Sequence, residues 1–190
     1  MKTVSFTRMA DGTREEYQFL AGQWTQLSEP LADNVLALLE RLKGPTFGYP
    51  VDRYEHSLQT ASRALRDGAD EETVVCALLH DIGDILAPEN HGALAAEILK
   101  PYVNEENYWV VAHHPVFQGY YYWHHLDKDR NARDRYADNP YYDACLSFCE
   151  RWDQESFDPD YDTLSIGTFE PMVRRLFARK PWARSEDERG

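Results

Sequence analysis

The chain has few cysteines, no long apolar run and no visible secretory leader. Its three cysteines, Cys76, Cys145 and Cys149, lack Cys-x-x-Cys spacing. The absence of this spacing argues against a disulfide framework and a zinc ribbon, and we expect the three cysteines to be buried free thiols. No apolar stretch approaches the roughly 20 residues that a membrane-spanning helix needs. We therefore expect a soluble, cytoplasmic protein with no membrane partner.

Basic residues are also scarce, because 33 Asp and Glu stand against 20 Lys and Arg and give a net charge of -13. This charge disfavours nucleic acid as a partner, since its phosphates require a basic surface, and we expect none. We therefore expect the partner to be a small-molecule substrate, and an acidic protein can accept a substrate that carries a positive charge. The 190 residues fit a single domain, 1–190, without repeats or low-complexity segments.

Hydrophobic periodicity predicts an all-α helical bundle with a small N-terminal β-hairpin. Alternating residues on either side of Asp11-Gly12 predict the hairpin over residues 3–20, and we expect residues 1–20 to form an appendage. Residues 120–140, rich in aromatic and charged side chains, indicate an ordered insertion. The helical segments are expected near 30–42, 52–67, 70–82, 92–99, 105–114, 142–152 and 169–177.

Six histidine and aspartate residues are candidate metal ligands. Imidazoles and carboxylates in this number are ligands that first-row metals such as iron and manganese accept. A single His is more often a surface or hydrogen-bonded residue, and the pairs His113-His114 and His124-His125 show that not every His can be a ligand. Consecutive helical residues diverge by about 100 degrees, so His80 and Asp81 cannot both point at one metal by simple helical geometry, although a carboxylate can bridge two. The predicted ligands, within a core spanning 46–157, are His56, His80, Asp81, His91, His114 and Asp153, with Asp81 as the bridge.

The motif Leu79-His80-Asp81-Ile82-Gly83 resembles the signature of the HD-domain superfamily, an all-α fold whose metal set follows the order His, His-Asp, Asp. His91 and His114 fall where binuclear members of that superfamily place ligands for a second metal. The segment 54–61, which reads Tyr-Glu-His-Ser-Leu-Gln-Thr-Ala, is similar to a segment of the HD oxygenases. That branch contains myo-inositol oxygenase and the PhnZ- and TmpB-like enzymes of organophosphonate catabolism, which residues 148–153 also resemble.

The resemblance implies an HD-domain bundle that holds two Fe ions in a mixed-valent Fe(II)/Fe(III) state and uses O2 as co-substrate. The implied reaction cleaves the C–P bond of a 1-hydroxyalkylphosphonate, namely (R)-1-hydroxy-2-(trimethylammonio)ethylphosphonate, to glycine betaine and phosphate. A binuclear HD-type phosphohydrolase is the alternative, because its ligand set would be nearly the same. A catalytically silent HD module is a third interpretation. The segment around His56 favours the oxygenase.

Substrate contacts do not transfer simply from the resembled enzymes. Tyr49 stands in the loop where those enzymes carry a latch, and Asp84 and Gln118 occupy positions where they have other residue types. Arg133 offers planar donors for phosphonate oxygens, although a lone Arg is more often a surface residue. Asp84 or Glu150, with the aromatic run 120–123, would suit a quaternary ammonium group. The oligomeric state stays open.

Overall fold

The computed structural model describes residues 3–28 and 30–182, and in that part of the chain the elements are helices joined by turns and loops, without strands. The all-α prediction is confirmed. Short 3-10 turns cover Met9–Asp11, Pro88–Asn90, Trp123–Leu126 and Ala132–Tyr136, and a π-helical turn covers Cys149–Asp153. The α-helices are α1 (Arg14–Ser28), α2 (Leu31–Glu40), α3 (Arg53–Arg66), α4 (Glu71–Leu79), α5 (His91–Leu99), α6 (Glu105–Tyr122), α7 (Tyr142–Phe148) and α8 (Ile166–Phe177).

The centre of the bundle is α4. Its residues from Val74 to Leu79 are all buried, as expected of a helix that is apolar on every side. It packs against α3, α6 and α8, while α5 and α7 pack against α6. The predicted ligands are carried by α3, the end of α4, α5, α6 and the π-helical turn after α7, so the packing of this core brings them together.

The starts of α3, α4 and α6 are fixed by side-chain caps, which satisfy backbone N–H groups that the first turn leaves without partners. Asp52 accepts a hydrogen bond from the Glu55 N–H at 2.8 Å and so sets the start of α3. Asp70 and Asn104 cap α4 and α6 in the same way. The cap of α3 places His56 in the first turn, at the end of the helix that faces the candidate site.

The β-hairpin predicted for residues 3–20 is wrong, because this segment holds a 3-10 turn and the start of α1. A capping box explains the outcome. Thr13 Oγ1 accepts from the Glu16 N–H at 3.3 Å, and a Glu16 carboxylate oxygen accepts from the Thr13 N–H at 2.9 Å. Phe6 packs on Tyr17 with ring centroids 5.4 Å apart, so the alternating pattern reflects contacts with a helix.

The helix expected over 105–114 is longer than predicted. It continues through Pro115 to Tyr122, so residues 120–140 begin as the end of α6 and continue through two 3-10 turns. Pro115 cannot donate to the Val111 carbonyl. That carbonyl instead lies 2.7 Å from His114 Nδ1, so a candidate ligand uses the acceptor that the proline leaves free.

The three cysteines are free and buried, as predicted. Within residues 3–28 and 30–182, no helix is both long enough and apolar enough to cross a membrane.

Candidate metal centre

All six predicted ligands converge. His56 lies in the first turn of α3, His80 directly after α4, and Asp81 in the turn that follows. Five of the six are at most 4% exposed, whereas the His91 side chain, at the start of α5, is 22% exposed. His80 keeps helical backbone angles as the C-cap of α4, yet its Nε2 lies 3.5 Å from Asp81 Oδ2, so both side chains reach the cluster.

Four side chains form what we call the first subsite. His56 Nε2 and His80 Nε2 lie 3.1 Å apart. Asp153 Oδ1 is 3.3 Å from His56 Nε2 and 3.7 Å from His80 Nε2. Asp81 Oδ2 is 3.5 Å from each of the two imidazole nitrogens. Two imidazoles and two carboxylate oxygens therefore surround one small volume.

The second subsite uses the other oxygen of Asp81. Asp81 Oδ1 lies 3.2 Å from His114 Nε2 and 3.4 Å from His91 Nε2. These three ligand atoms all fall within 4.8 Å of one another. The carboxylate of Asp81 thus spans the two subsites, with one oxygen directed at each, which is the arrangement of a bridging ligand.

Each of the four imidazoles is held through its Nδ1 atom. A backbone carbonyl lies 2.7–3.0 Å from it in every case, namely that of Ser156 for His56, Ala77 for His80, Pro88 for His91 and Val111 for His114. A proton on Nδ1 can be donated to the carbonyl, which leaves the lone pair of Nε2 facing the cluster. Metal-binding histidines are oriented in this way.

The donor set fits a pair of metal ions. Asp153 Oδ2 is buried and has no hydrogen-bond partner among the described residues, which is costly for a carboxylate that binds nothing. The Nε2 atoms of His56 and His80 face each other, and two lone pairs at this distance repel unless a proton or a cation lies between them. Imidazole with carboxylate suits iron, manganese or zinc.

The electrostatics of the site favour cations. Burial opposes the charged form of His80, but the carboxylates of Asp81 and Asp153 outweigh it and raise the His80 pKa to about 9. Burial would raise the pKa values of Asp81 and Asp153, yet the surrounding histidines lower both below the ordinary value. The pKa of His114 is lowered, chiefly by burial. Both carboxylates are therefore ionised and available as ligands.

Two glycines allow the elements of the second subsite to approach closely. A Cβ on Gly83 would lie 2.4 Å from the His91 backbone oxygen. A Cβ on Gly92 would lie 2.9 Å from the Pro115 ring and 3.0 Å from the Val111 oxygen. The turn after α4, the start of α5 and the middle of α6 can meet only because both side chains are absent.

Asp153 is positioned by a π-helical turn, which the sequence pattern did not predict. The chain leaves α7 at Phe148 and widens over Cys149–Asp153, with the Gln154 N–H donating to the Cys149 carbonyl at 3.0 Å. Such turns shift the phase of a helix and occur often at functional sites. Here the turn brings Asp153 into the buried cluster.

Three of the predicted substrate contacts lie at the site. Gln118 Nε2 donates to Asp153 Oδ1 at 3.2 Å, and its Oε1 is buried without a hydrogen-bond partner among the described residues. Asp84 Oδ1 is 3.3 Å from His91 Nδ1, and burial followed by the Asp81 charge raises the Asp84 pKa. Tyr49 stacks on Phe157, which in turn stacks on His56.

The other two predicted contacts, Arg133 and Glu150, make no ion pair or hydrogen bond with the candidate ligands among the described residues. Arg133 rests on the ring of Tyr120, with its guanidinium carbon 3.6 Å from the ring centroid, and Arg130 packs on the same ring at 4.0 Å. That ring is therefore already in contact with two cations. Glu150 is exposed on the π-helical turn. Substrate binding by Arg133 and Glu150 stays a prediction.

Arg53 lies at the site but was not identified as a site residue from the sequence. Its Nε lies 3.0 Å from Asp84 Oδ2, and its Nη1 lies 3.7 Å from Asp81 Oδ2. The available signal was its spacing, because residues three apart share a helix face, and Arg53 precedes His56 by three. Phe157, which covers the His56 ring at 4.4 Å between centroids, was missed too and had no comparable signal.

The comparisons with known proteins agree with this geometry. No match was found among the curated proteins. A family model described as HD domain matches residues 53–154, more than half of the chain, and this range includes all six candidate ligands. The all-helical structure and the His/Asp cluster are consistent with a metal-dependent enzyme of that kind. The chain therefore belongs to the HD-domain family.

Proposed function

We propose that this protein is a diiron oxygenase that cleaves the C–P bond of a 1-hydroxyalkylphosphonate. The proposed substrate is (R)-1-hydroxy-2-(trimethylammonio)ethylphosphonate, and the products are glycine betaine and phosphate. The metals would be a mixed-valent Fe(II)/Fe(III) pair with O2 as co-substrate. The substrate and the reaction come from the resemblance of residues 54–61 and 148–153 to the PhnZ- and TmpB-like enzymes.

The observation that carries the proposal is the division of six ligands into two subsites that share Asp81. A single metal would need only His56, His80, Asp81 and Asp153, which already supply four donors around one volume. His91 and the buried His114 instead surround the opposite oxygen of Asp81. A second ion explains why both imidazoles point there.

The protein residues supply position and charge. When bound, the iron pair would supply Lewis acidity toward the substrate oxygens and electron transfer to and from O2. Asp81 would fix the spacing of the two subsites. We propose that Gln118 accepts a hydrogen bond from the substrate hydroxyl through Oε1, because its Nε2 already donates to Asp153.

A binuclear phosphohydrolase is the second candidate, and Asp84 favours it. This carboxylate lies beside the second subsite, and burial and the Asp81 charge raise its pKa. A carboxylate with a raised pKa can take a proton from an attacking water. Hydrolysis would require that water and no O2.

The oxygen requirement separates the two candidates. Iron-reconstituted protein would be incubated with the hydroxyphosphonate in air and under anaerobic conditions, and phosphate and glycine betaine would be followed. We expect both products in air and neither without O2. Phosphate that appears without O2, or equally well from p-nitrophenyl phosphate, would contradict the oxygenase and favour the hydrolase.

A further inference from the structure

Arg53 is a cation placed beside the candidate metal centre with no role so far assigned. It is the first residue of α3, and its side chain is 28% exposed. Its Nε lies 3.0 Å from Asp84 Oδ2. Its guanidinium carbon lies 4.9 Å from the centroid of the Tyr49 ring. The guanidinium therefore lies at the edge of the site, between the buried Asp81, the partly buried Asp84 and solvent.

The contact with Asp81 is electrostatic and leaves that carboxylate available. Arg53 Nη1 is 3.7 Å from Asp81 Oδ2, which is beyond hydrogen-bonding distance. Asp81 Oδ2 also faces His56 and His80 at 3.5 Å, so Arg53 does not displace this oxygen from the first subsite. A guanidinium has five N–H donors, more than the single close contact with Asp84 uses.

The charge balance favours an anionic ligand at this position. The proposed Fe(II)/Fe(III) pair carries more positive charge than Asp81 and Asp153 neutralise, and the charges of Arg53 and Asp84 offset each other. Burial disfavours the charged guanidinium, but Asp81 and Asp84 outweigh it and raise the pKa of Arg53, so the group stays cationic. The loaded site therefore has excess positive charge where little water screens it.

We infer that Arg53 binds the anionic group of the substrate and holds it against the metal pair. This inference rests on the proposed function, in which the substrate carries a phosphonate. A tetrahedral oxyanion can place one oxygen toward a metal and accept two parallel hydrogen bonds from a guanidinium. Tyr49 lies against the guanidinium, with its ring centroid 4.9 Å from the guanidinium carbon, and the same ring stacks on Phe157 at 5.0 Å.

The test measures binding of inorganic phosphate to iron-loaded protein by calorimetry. Arg53→Gln removes the charge and the paired donors, whereas Arg53→Lys keeps the charge alone. Arg66→Gln, at the opposite end of α3 in an exposed pair with Asp162, is the matched control. We expect Arg53→Gln to weaken phosphate binding about 10-fold or more, as for loss of a charge-assisted hydrogen-bonded pair. The phosphate affinity of Arg53→Lys should lie between those of Arg53→Gln and the wild type, and that of Arg66→Gln should equal the wild-type value.

Metal content, measured on the same samples, decides what a weakened affinity means. Weaker phosphate binding with an unchanged iron content supports the inference. Wild-type affinity in Arg53→Gln, or loss of iron from it, would overturn the inference, since the role would then be absent or structural. If Arg53→Gln does not fold by circular dichroism, Arg53→Lys decides by the same two criteria.

The two proposals can fail separately. If wild-type protein releases no phosphate from the hydroxyphosphonate, the proposed function fails. The comparison of phosphate affinities does not require turnover and would still decide the role of Arg53.

Discussion

Asp81 differs from the other candidate ligands because its two oxygens face different groups of imidazoles. Oδ2 faces His56 and His80, whereas Oδ1 faces His91 and His114. Its place in the chain explains this position. Asp81 follows the last residues of α4 in a turn that is closed by the Asp84 N–H donating to the Asp81 carbonyl at 3.0 Å, so its side chain points into the bundle.

Substitutions should therefore affect the two subsites unequally. Asp81→Asn replaces one ligand oxygen by an amide NH2, which cannot bind a cation, and removes the negative charge that both subsites share, so we expect less than a full pair of irons. His91→Ala removes a ligand of the second subsite alone and should leave about one iron per chain. Iron analysis with Mössbauer spectroscopy measures this. His124→Ala, outside the cluster, is the control, and an unchanged iron content in Asp81→Asn would contradict the bridge.

Metal binding should release a proton from His80. In the metal-free protein its pKa is raised to about 9, so the imidazole is protonated at pH 7.5 and must lose that proton to become a ligand. Calorimetry with Mn²⁺ in buffers of different ionisation enthalpy measures the release. We expect about one proton per chain at pH 7.5 and almost none above pH 10. Binding heats that do not depend on the buffer at pH 7.5 would contradict this.

At the scale of elements, the site depends on how closely the turn after α4 approaches α5. Gly83→Ala would place a Cβ 2.4 Å from the His91 backbone oxygen, so the start of α5 must move. We expect a loss of about 1–3 kcal/mol of unfolding free energy and weaker metal binding at the second subsite. Urea unfolding and iron analysis measure both effects.

Gly167 provides a matched control for this substitution. It lies in α8, and a Cβ there would meet only Ser165 Oγ at 3.6 Å. Gly167→Ala should be neutral or slightly stabilising, because alanine favours a helix. A Gly83→Ala protein as stable and as fully loaded as Gly167→Ala would contradict the close-approach argument.

Most helical segments and the convergence of the six ligands could be predicted from the sequence, because buried faces repeat at helical spacing and most ligands stand at helix ends. His114 was expected at a helix end as well, but it lies in the middle of α6. Pro115 misled the prediction of α6, since a proline usually ends a helix, whereas here His114 uses the acceptor it leaves free. The π-helical turn before Asp153 has no sequence signal.

The N-terminal segment shows a different limit. Alternating apolar residues around Asp11-Gly12 satisfy a hairpin pattern, but Thr13 and Glu16 form a capping box that starts a helix. The same residues satisfy both a hairpin pattern and a helix-start pattern, and in the structure the helix forms. Contacts such as that of Arg53 with Asp84 depend on tertiary packing and so required the structure.

At the scale of the whole molecule, the metal pair should stabilise the bundle. The ligands come from α3, α5, α6, the end of α4 and the π-helical turn, so metal that binds only the folded state adds stability. With free metal about 100-fold above its dissociation constant, each occupied site should add roughly 2.7 kcal/mol to the free energy of unfolding. In a chain of this size that gain raises the Tm by roughly 5–10 °C. Scanning calorimetry with and without a chelator measures it, and an unchanged Tm would contradict it.

The most direct test is a crystal structure of the iron-loaded protein with anomalous data at the iron edge. Two anomalous peaks should appear, roughly 3.5–4 Å apart as in other two-metal sites, with one Asp81 oxygen toward each. One peak should contact His56, His80 and Asp153, and the other His91 and His114. A single peak, or two peaks without Asp81 between them, would contradict a shared binuclear centre.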